Sequence, residues 1–184
     1  IEQYRAGSGD DIVGGNGAGN KIWGNDGDDR LSGRGGNDSL AGGHGDDVIF
    51  GNWHSDRLFG GNGQDKLFGG QGNDRLYGQW GKDLIKGGHG SDLIYGNMHA
   101  DRLYGEGGWD RISGGSGNDR LYGQAGNDRI AGGTGADYID GGTGIDEALY
   151  VASAQGVTVD LAAGRGWGGR RGCPGLAVAP GVHV

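Results

Sequence analysis

Cysteine, proline and long apolar runs are nearly absent from this chain. Cys173 is the single cysteine and only two prolines occur among 184 residues, so no internal disulfide framework stabilises the fold. No apolar run is long enough for a transmembrane segment. Ile1 and Glu2 begin no apolar leader, which fits either a piece of a longer protein or export without an N-terminal signal.

Sequence motifs of catalytic sites are missing as well. The chain contains no His-Glu-x-x-His, no Gly-x-Ser-x-Gly, no P-loop and no EF-hand loop. Gly164, Gly166 and Gly169 have the spacing of a dinucleotide-binding loop, but no strand–turn–helix pattern surrounds them. Cys173 has no candidate base near it in the sequence. We therefore expect no enzymatic activity from this chain itself, and the activity of a larger parent protein stays open.

Glycine, by contrast, is in large excess, at 49 of 184 residues. Such a content is typical of disordered segments or of collagen-like fibres. Here the glycines recur with a period of nine, which excludes the collagen period of three. The unit is G-G-x-G-x-D-x-U-x, where U is a large aliphatic residue, and residues 69–77 are one complete copy. Sixteen copies follow one another over residues 6–149 without an insertion or a deletion.

The aliphatic residue at position eight predicts short strands. One aliphatic residue in nine fits neither an amphipathic helix nor a two-sided strand. A three-residue strand with its middle side chain inward fits, and it turns positions seven and nine outward. The glycines at positions one, two and four indicate tight turns and close backbone approach. His54 and His99 replace the glycine of position four, where histidine is tolerated better than most residues.

Position six holds aspartate in fifteen copies and asparagine in one. Residues eighteen apart would lie directly above each other, about 4.8 Å apart, and would form two columns of carboxylates. Such columns repel themselves unless cations separate the charges, and hard oxygen ligands favour calcium over softer metals. We therefore predict calcium ligands at Asp11, Asp29, Asp47, Asp65, Asp83, Asp101, Asp119 and Asp137 on one side, and at Asp38, Asp56, Asp74, Asp92, Asp110, Asp128 and Asp146 on the other, with Asn20 as a weak ligand.

This repeat resembles the calcium-binding nonapeptide repeat of the RTX (repeats-in-toxin, or hemolysin-type) family of secreted bacterial proteins. The resemblance covers residues 6–149 and implies an all-β parallel β-roll, a two-sheet β-solenoid. Six residues of each repeat would form a calcium-holding turn and three a strand, so that sixteen repeats make eight coils. The resemblance also implies a module that binds several Ca²⁺ ions, up to about fourteen. It would fold on calcium binding outside the cell and support the folding and type I secretion of a larger protein.

The chain divides into four segments on this basis. Residues 1–5 are a lead-in, and residues 6–149 form the roll. Residues 150–163 alternate apolar and polar side chains, which predicts a strand that caps the last coil. Residues 164–184 contain no Asp or Glu and hold both prolines. We expect this last segment to be an atypical tail, either non-native or disordered.

Two further functions stay open at this point. The first is an adhesin-type binding module, in which outward aromatic and arginine faces bind a glycan, an anionic polysaccharide or a cell surface. The simpler interpretation of the aromatic rows is that identical side chains stack on neighbouring strands. The second is the C-terminal fragment of a secreted protease, lipase or epimerase. In every case we expect a monomer that has no nucleic-acid partner. The aromatic rows are Phe59, Tyr77 and Tyr95, beside Arg57 and Arg75, and Phe50, Phe68, Tyr104 and Tyr122, near Arg102 and Arg120.

Overall fold

The structure, a computed structural model, describes residues 2–149 and 158–160. Its eighteen strands form two parallel sheets of nine strands each, and the chain alternates between the sheets along a solenoid of about eight turns. Sheet A contains β1 (Glu2–Arg5), β3 (Asn20–Asp26), β5 (Ser39–His44), β7 (Arg57–Asn62), β9 (Arg75–Trp80), β11 (Leu93–Met98), β13 (Arg111–Ser116), β15 (Arg129–Thr134) and β17 (Glu147–Leu149). Sheet B contains β2 (Ile12–Gly14), β4 (Arg30–Arg34), β6 (Val48–Trp53), β8 (Lys66–Gln71), β10 (Leu84–His89), β12 (Arg102–Gly107), β14 (Arg120–Ala125), β16 (Tyr138–Asp140) and β18 (Thr158–Asp160).

The predicted parallel β-roll is confirmed, and its register follows from the unbroken period of nine. Neighbouring strands of a sheet pair residues that are eighteen apart, as at Arg57↔Arg75 and Leu58↔Leu76. Each residue therefore lies beside the residue at the same position of the repeat two copies later. Because the pairing is parallel and in register, every position of the repeat becomes a straight row along the solenoid.

The strands are longer than the three residues that the resemblance implied. Each strand from β7 to β15 has six residues and runs from position seven of one repeat to position three of the next. The pairing continues through Gly61↔Gln79 and Asn62↔Trp80. Glycine at position one lets the backbones stay this close, since a Cβ on Gly60 would lie 2.7 Å from the carbonyl oxygen of Gly78. Only positions four to six are left to turn the chain from one sheet to the other.

The core is a double row of single aliphatic side chains. The fourteen position-eight residues from Ile22 to Ile139 are at most 2% exposed, while Val13, Ala148 and Val159 pack against the two ends of this cluster. In β7 the burial pattern alternates as the period of two requires, with Leu58 buried between the exposed Arg57 and the half-buried Phe59. One aliphatic residue per repeat gives a thin core, so the roll depends on further interactions at its turns.

The turns use left-handed backbone at positions two and four. Gly61 and Gly63 have φ of 123° and 141°. At position four His54 and His99 adopt φ of 76° and 77°, as expected for histidines that replace a turn glycine. The ring of His54 accepts a hydrogen bond at Nδ1 from the backbone N–H of Gly36, at 3.2 Å. These histidines belong to the turn architecture.

The outward aromatic side chains stack on one another. Tyr77 lies between Phe59 and Tyr95, with centroid distances of 5.1 and 5.3 Å and interplanar angles of 7°. Both faces of the Tyr77 ring are therefore covered by neighbouring rings, and its edge points outward. Stacking is thus the observed arrangement of the aromatic rows. The same geometry recurs at Phe50–Phe68 and Tyr104–Tyr122.

The described part of the segment at 150–163 is the edge strand β18. It pairs with β16 at Tyr138↔Thr158, a separation of twenty residues, so the spacing of eighteen ends with the repeats. The inward residue Val159 lies beside Ile139 and packs against the core. The rest of this segment and the tail at 164–184 lie outside the described residues.

Candidate calcium site

The predicted position-six residues form two straight columns inside the turns. Each aspartate after the first coil accepts a hydrogen bond at Oδ1 from the backbone N–H of the position-six residue one coil earlier. Asp56 N–H donates to Asp74 Oδ1 at 2.8 Å, and Asp74 N–H donates to Asp92 Oδ1 at 2.8 Å. The same bond recurs along both columns, from Asp11 to Asp137 on one side and from Asn20 to Asp146 on the other. Fourteen of these aspartates are buried.

The second carboxylate oxygen has no partner in most of the column. Oδ2 is buried and without a hydrogen bond in Asp29, Asp38, Asp47, Asp56, Asp65, Asp74, Asp83, Asp92, Asp101, Asp110, Asp119, Asp128 and Asp137. Asp11, in the first coil, is different because its Oδ2 accepts a hydrogen bond from the Gly7 N–H at 3.0 Å. An unpartnered buried carboxylate oxygen is costly, and such groups are normally paired with a cation or protonated.

The electrostatics of the columns follow from this burial. Burial raises the pKa of Asp101 to about 8; the hydrogen bond from the Asp83 N–H opposes the increase, and the charges of Asp83 and Asp119 add to it. Burial likewise raises the pKa of Asp65 and of Asp92 to about 7. Without a cation the folded columns thus hold a proton more strongly than ordinary aspartates.

The donor set around each unpartnered oxygen fits calcium. The Oδ2 of Asp74 lies against Gly69, the position-one residue of its own repeat, and the carbonyl oxygen of Gly87 from the coil above lies against the same glycine. A Cβ on Gly69 would lie 2.5 Å from Asp74 Oδ2, so glycine at position one makes room for the carboxylate. Among the described residues no three His, Cys, Asp or Glu side chains converge on one point. Each ion would therefore take carboxylates from position six and complete its shell with turn carbonyls, the hard oxygen donors that calcium prefers.

A comparison with known families decides the identity of these repeats. The model for the RTX calcium-binding nonapeptide repeat, which spans four copies, matches residues 23–58, 50–85, 77–112, 87–121 and 113–148. The chain belongs to the RTX calcium-binding repeat family. A search of curated proteins gives no match to it. RTX nonapeptide repeats bind calcium, and the family is typical of secreted bacterial proteins. Among the described residues, no helix is long and apolar enough to cross a membrane.

One RTX turn is closed by a side-chain amide. Asn20 Nδ2 donates to Asp38 Oδ1 at 3.1 Å and to the Ala18 carbonyl oxygen, and the Asn20 N–H donates to Asp38 Oδ1 at 2.7 Å. Nδ2 also lies above Gly15, the position at which other repeats place an aspartate Oδ2 above their glycine. Sequence reasoning predicts a weak ligand here. It misses the donor role of the amide, which only the contacts to Ala18 and Asp38 reveal.

The pKa shifts predict how the calcium-free roll responds to acid. The folded-state pKa values of about 6 to 8 at Asp47, Asp65 and Asp101 exceed the ordinary 3.8. The protonated carboxyls therefore add to the free energy of unfolding in full below about pH 4. This contribution is lost as the pH rises through 6 to 8. In chelator we therefore expect more β-structure by circular dichroism at about pH 5 than at about pH 8. The calcium-loaded chain at pH 8 is the folded reference. A β-content in chelator that is constant or rises with pH would contradict this account.

The Asn20 turn gives a prediction of stoichiometry. Asn20→Asp replaces the amide donor with a carboxylate and restores the column between Asp38 and the first coil. We expect the variant to bind one more calcium ion than the parent chain, measured by native mass spectrometry at saturating calcium. Asn118→Asp is a matched control that adds the same charge at an exposed position outside the column, where the side-chain oxygen can still accept the hydrogen bond from the Ala136 N–H. An equal ion count for all three proteins would show that the amide does not occupy a calcium position.

Proposed function

We propose that this chain is a calcium-driven folding module of a secreted bacterial protein. One observation carries the proposal: thirteen buried aspartate Oδ2 atoms lie in two columns without a partner. Hydrogen bonds from the preceding coil already use Oδ1, so a cation is the partner that the remaining oxygen lacks. The ligands would be the position-six aspartates of both columns, with about fourteen gaps between successive coils.

Calcium supplies divalent positive charge between carboxylates that otherwise repel one another. In calcium-poor cytoplasm, repulsion within the columns and the entropy of a glycine-rich chain oppose folding. Outside the cell, calcium at about 0.1–1 mM matches the affinity range of extracellular calcium modules. The chain would thus leave the cell unfolded, through type I secretion machinery, and fold on arrival. In this function the module supports the folding of a larger protein to which it is joined.

A calcium titration tests the proposal. We expect the chain to be largely unfolded in chelator at pH 8 and to gain β-structure cooperatively at about 0.1–1 mM calcium, followed by circular dichroism. Magnesium at the same concentrations is the matched control, and it should not substitute because it demands tighter octahedral geometry than carboxylates and carbonyls on a fixed backbone supply. The same folded spectrum in chelator and in calcium would refute the proposal.

A further inference from the structure

The two signs of charge are separated between the interior and the surface of the roll. Between residues 48 and 139 all ten aspartates belong to the buried columns, and Glu106 is the one remaining carboxylate. Glu106 is itself paired with Lys86, at 3.2 Å between Oε1 and Nζ. The same stretch carries nine cationic side chains: Arg57, Lys66, Arg75, Lys82, Lys86, Arg102, Arg111, Arg120 and Arg129. Calcium in the columns would leave this surface without a compensating negative field.

The outward face of sheet A from β7 to β15 carries four cations and no carboxylate. Position seven forms one row there, with Arg57, Arg75, Leu93, Arg111 and Arg129 on five successive strands. We call the four arginines of this row the arginine row. They are all exposed. None of these five strands contains an aspartate or a glutamate. The face therefore carries a formal charge of +4 that its own strands do not balance.

The arginine row places like charges directly opposite one another. Arg57 pairs with Arg75, and Arg111 pairs with Arg129, in the register of the parallel strands. Like charges in this position destabilise a sheet. Arg129 is relieved by Glu147 at 2.8 Å, and the described residues provide no such salt bridge for the other three arginines. A partner that supplies closely spaced negative charges would remove this repulsion.

The outward face of sheet B provides a comparison, because its strands have the same architecture but a lower net positive charge. Its outward positions from β8 to β16 hold Lys66, Lys86, Arg102 and Arg120, but also Glu106 and Asp140. Two carboxylates thus offset part of its positive charge. Sheet A is accordingly the more cationic of the two faces.

The chemistry of the partner follows from the stacked rings beside the arginine row. Single-stranded nucleic acids bind where a basic groove lies next to open aromatic faces on which bases stack. Here the faces of Tyr77 are covered by Phe59 and Tyr95. Small residues continue the same row at Ser113 and Ala131, which leaves a flat surface beside the arginines. A guanidinium group binds an oxyanion through paired N–H donors, so a row of them suits an extended chain that carries oxyanion groups at intervals.

We propose that the outward face of sheet A, through its arginine row, binds an extended anionic polysaccharide that carries carboxylate or sulfate groups. The inference rests on the proposed function, because calcium-driven folding is what aligns the arginines and neutralises the columns. The unfolded chain has a formal net charge of −8. About thirteen bound calcium ions, one for each gap except that of Asn20, would change this to about +18 and attract polyanions at long range.

Two triple variants test this surface. Arg57→Gln, Arg75→Gln and Arg111→Gln remove three charges from sheet A, while Lys66→Gln, Arg102→Gln and Arg120→Gln remove three from sheet B. The binding probes are heparin for sulfate, hyaluronate for carboxylate, dextran as a neutral polysaccharide and poly(dT) as a nucleic acid. Affinities are measured at a calcium concentration at which circular dichroism shows each protein fully folded. We expect the sheet A variant to lose about tenfold or more in affinity for heparin or hyaluronate, and the sheet B variant about threefold or less.

The outcomes separate the surface from general electrostatics. Binding of heparin alone or hyaluronate alone supports the proposal and identifies the anionic group. Equal losses in the two triple variants would overturn it, as would absence of binding to both polyanions, dextran binding of similar strength, or tighter binding of poly(dT). The circular dichroism arm reports separately on the proposed function: a chain already folded in chelator refutes calcium-driven folding, yet its two faces can still be compared.

Discussion

The structure depends on one interaction, the stacking of a buried carboxylate on the same carboxylate of the next coil. Asp74 shows both consequences, because its Oδ1 accepts a hydrogen bond from the Asp56 N–H while its Oδ2 is buried without a partner. The first contact ties successive coils together. The second makes that tie unfavourable until a cation, or a proton, neutralises the charge. The core opposes this cost with only one buried aliphatic residue per repeat, such as Leu76.

Other features of the repeat accommodate the same columns. Glycine at position one, as at Gly69, leaves space for the carboxylate, and left-handed backbone at Gly63 or His54 turns the chain back within three residues. Positively charged side chains at the outward position seven compensate part of the negative charge of the columns. Arg57 and Arg75, for example, directly follow the aspartates of their repeats. The aspartate of position six is buried in the turn, and the arginine of position seven begins the strand with an exposed side chain. Under the proposed function, calcium would act on the fold and on the surface charge together.

Much of this architecture could be predicted from the sequence, because a strict period converts every position into a row. The inward row with Leu58 and Leu76, the aspartate columns and the stacked Phe59–Tyr77–Tyr95 rings all follow from a spacing of eighteen residues. Strand length could not be predicted in the same way. The glycines around Gly61 interrupt the alternation of side chains that would indicate a strand, yet the backbone of Gly61 still pairs with that of Gln79 in the next strand. The different roles of Oδ1 and Oδ2, and the amide of Asn20 above Gly15, depend on atomic positions that residue type does not encode.

The central claim is that the roll folds because cations enter the carboxylate columns. Native mass spectrometry across a calcium titration tests it most directly, because the charge-state distribution reports compactness while the mass reports bound ions. The account predicts two populations at pH 8: an extended chain with few ions, and a compact chain with about thirteen, one for each gap except that of Asn20. A compact population that carries no calcium would contradict it.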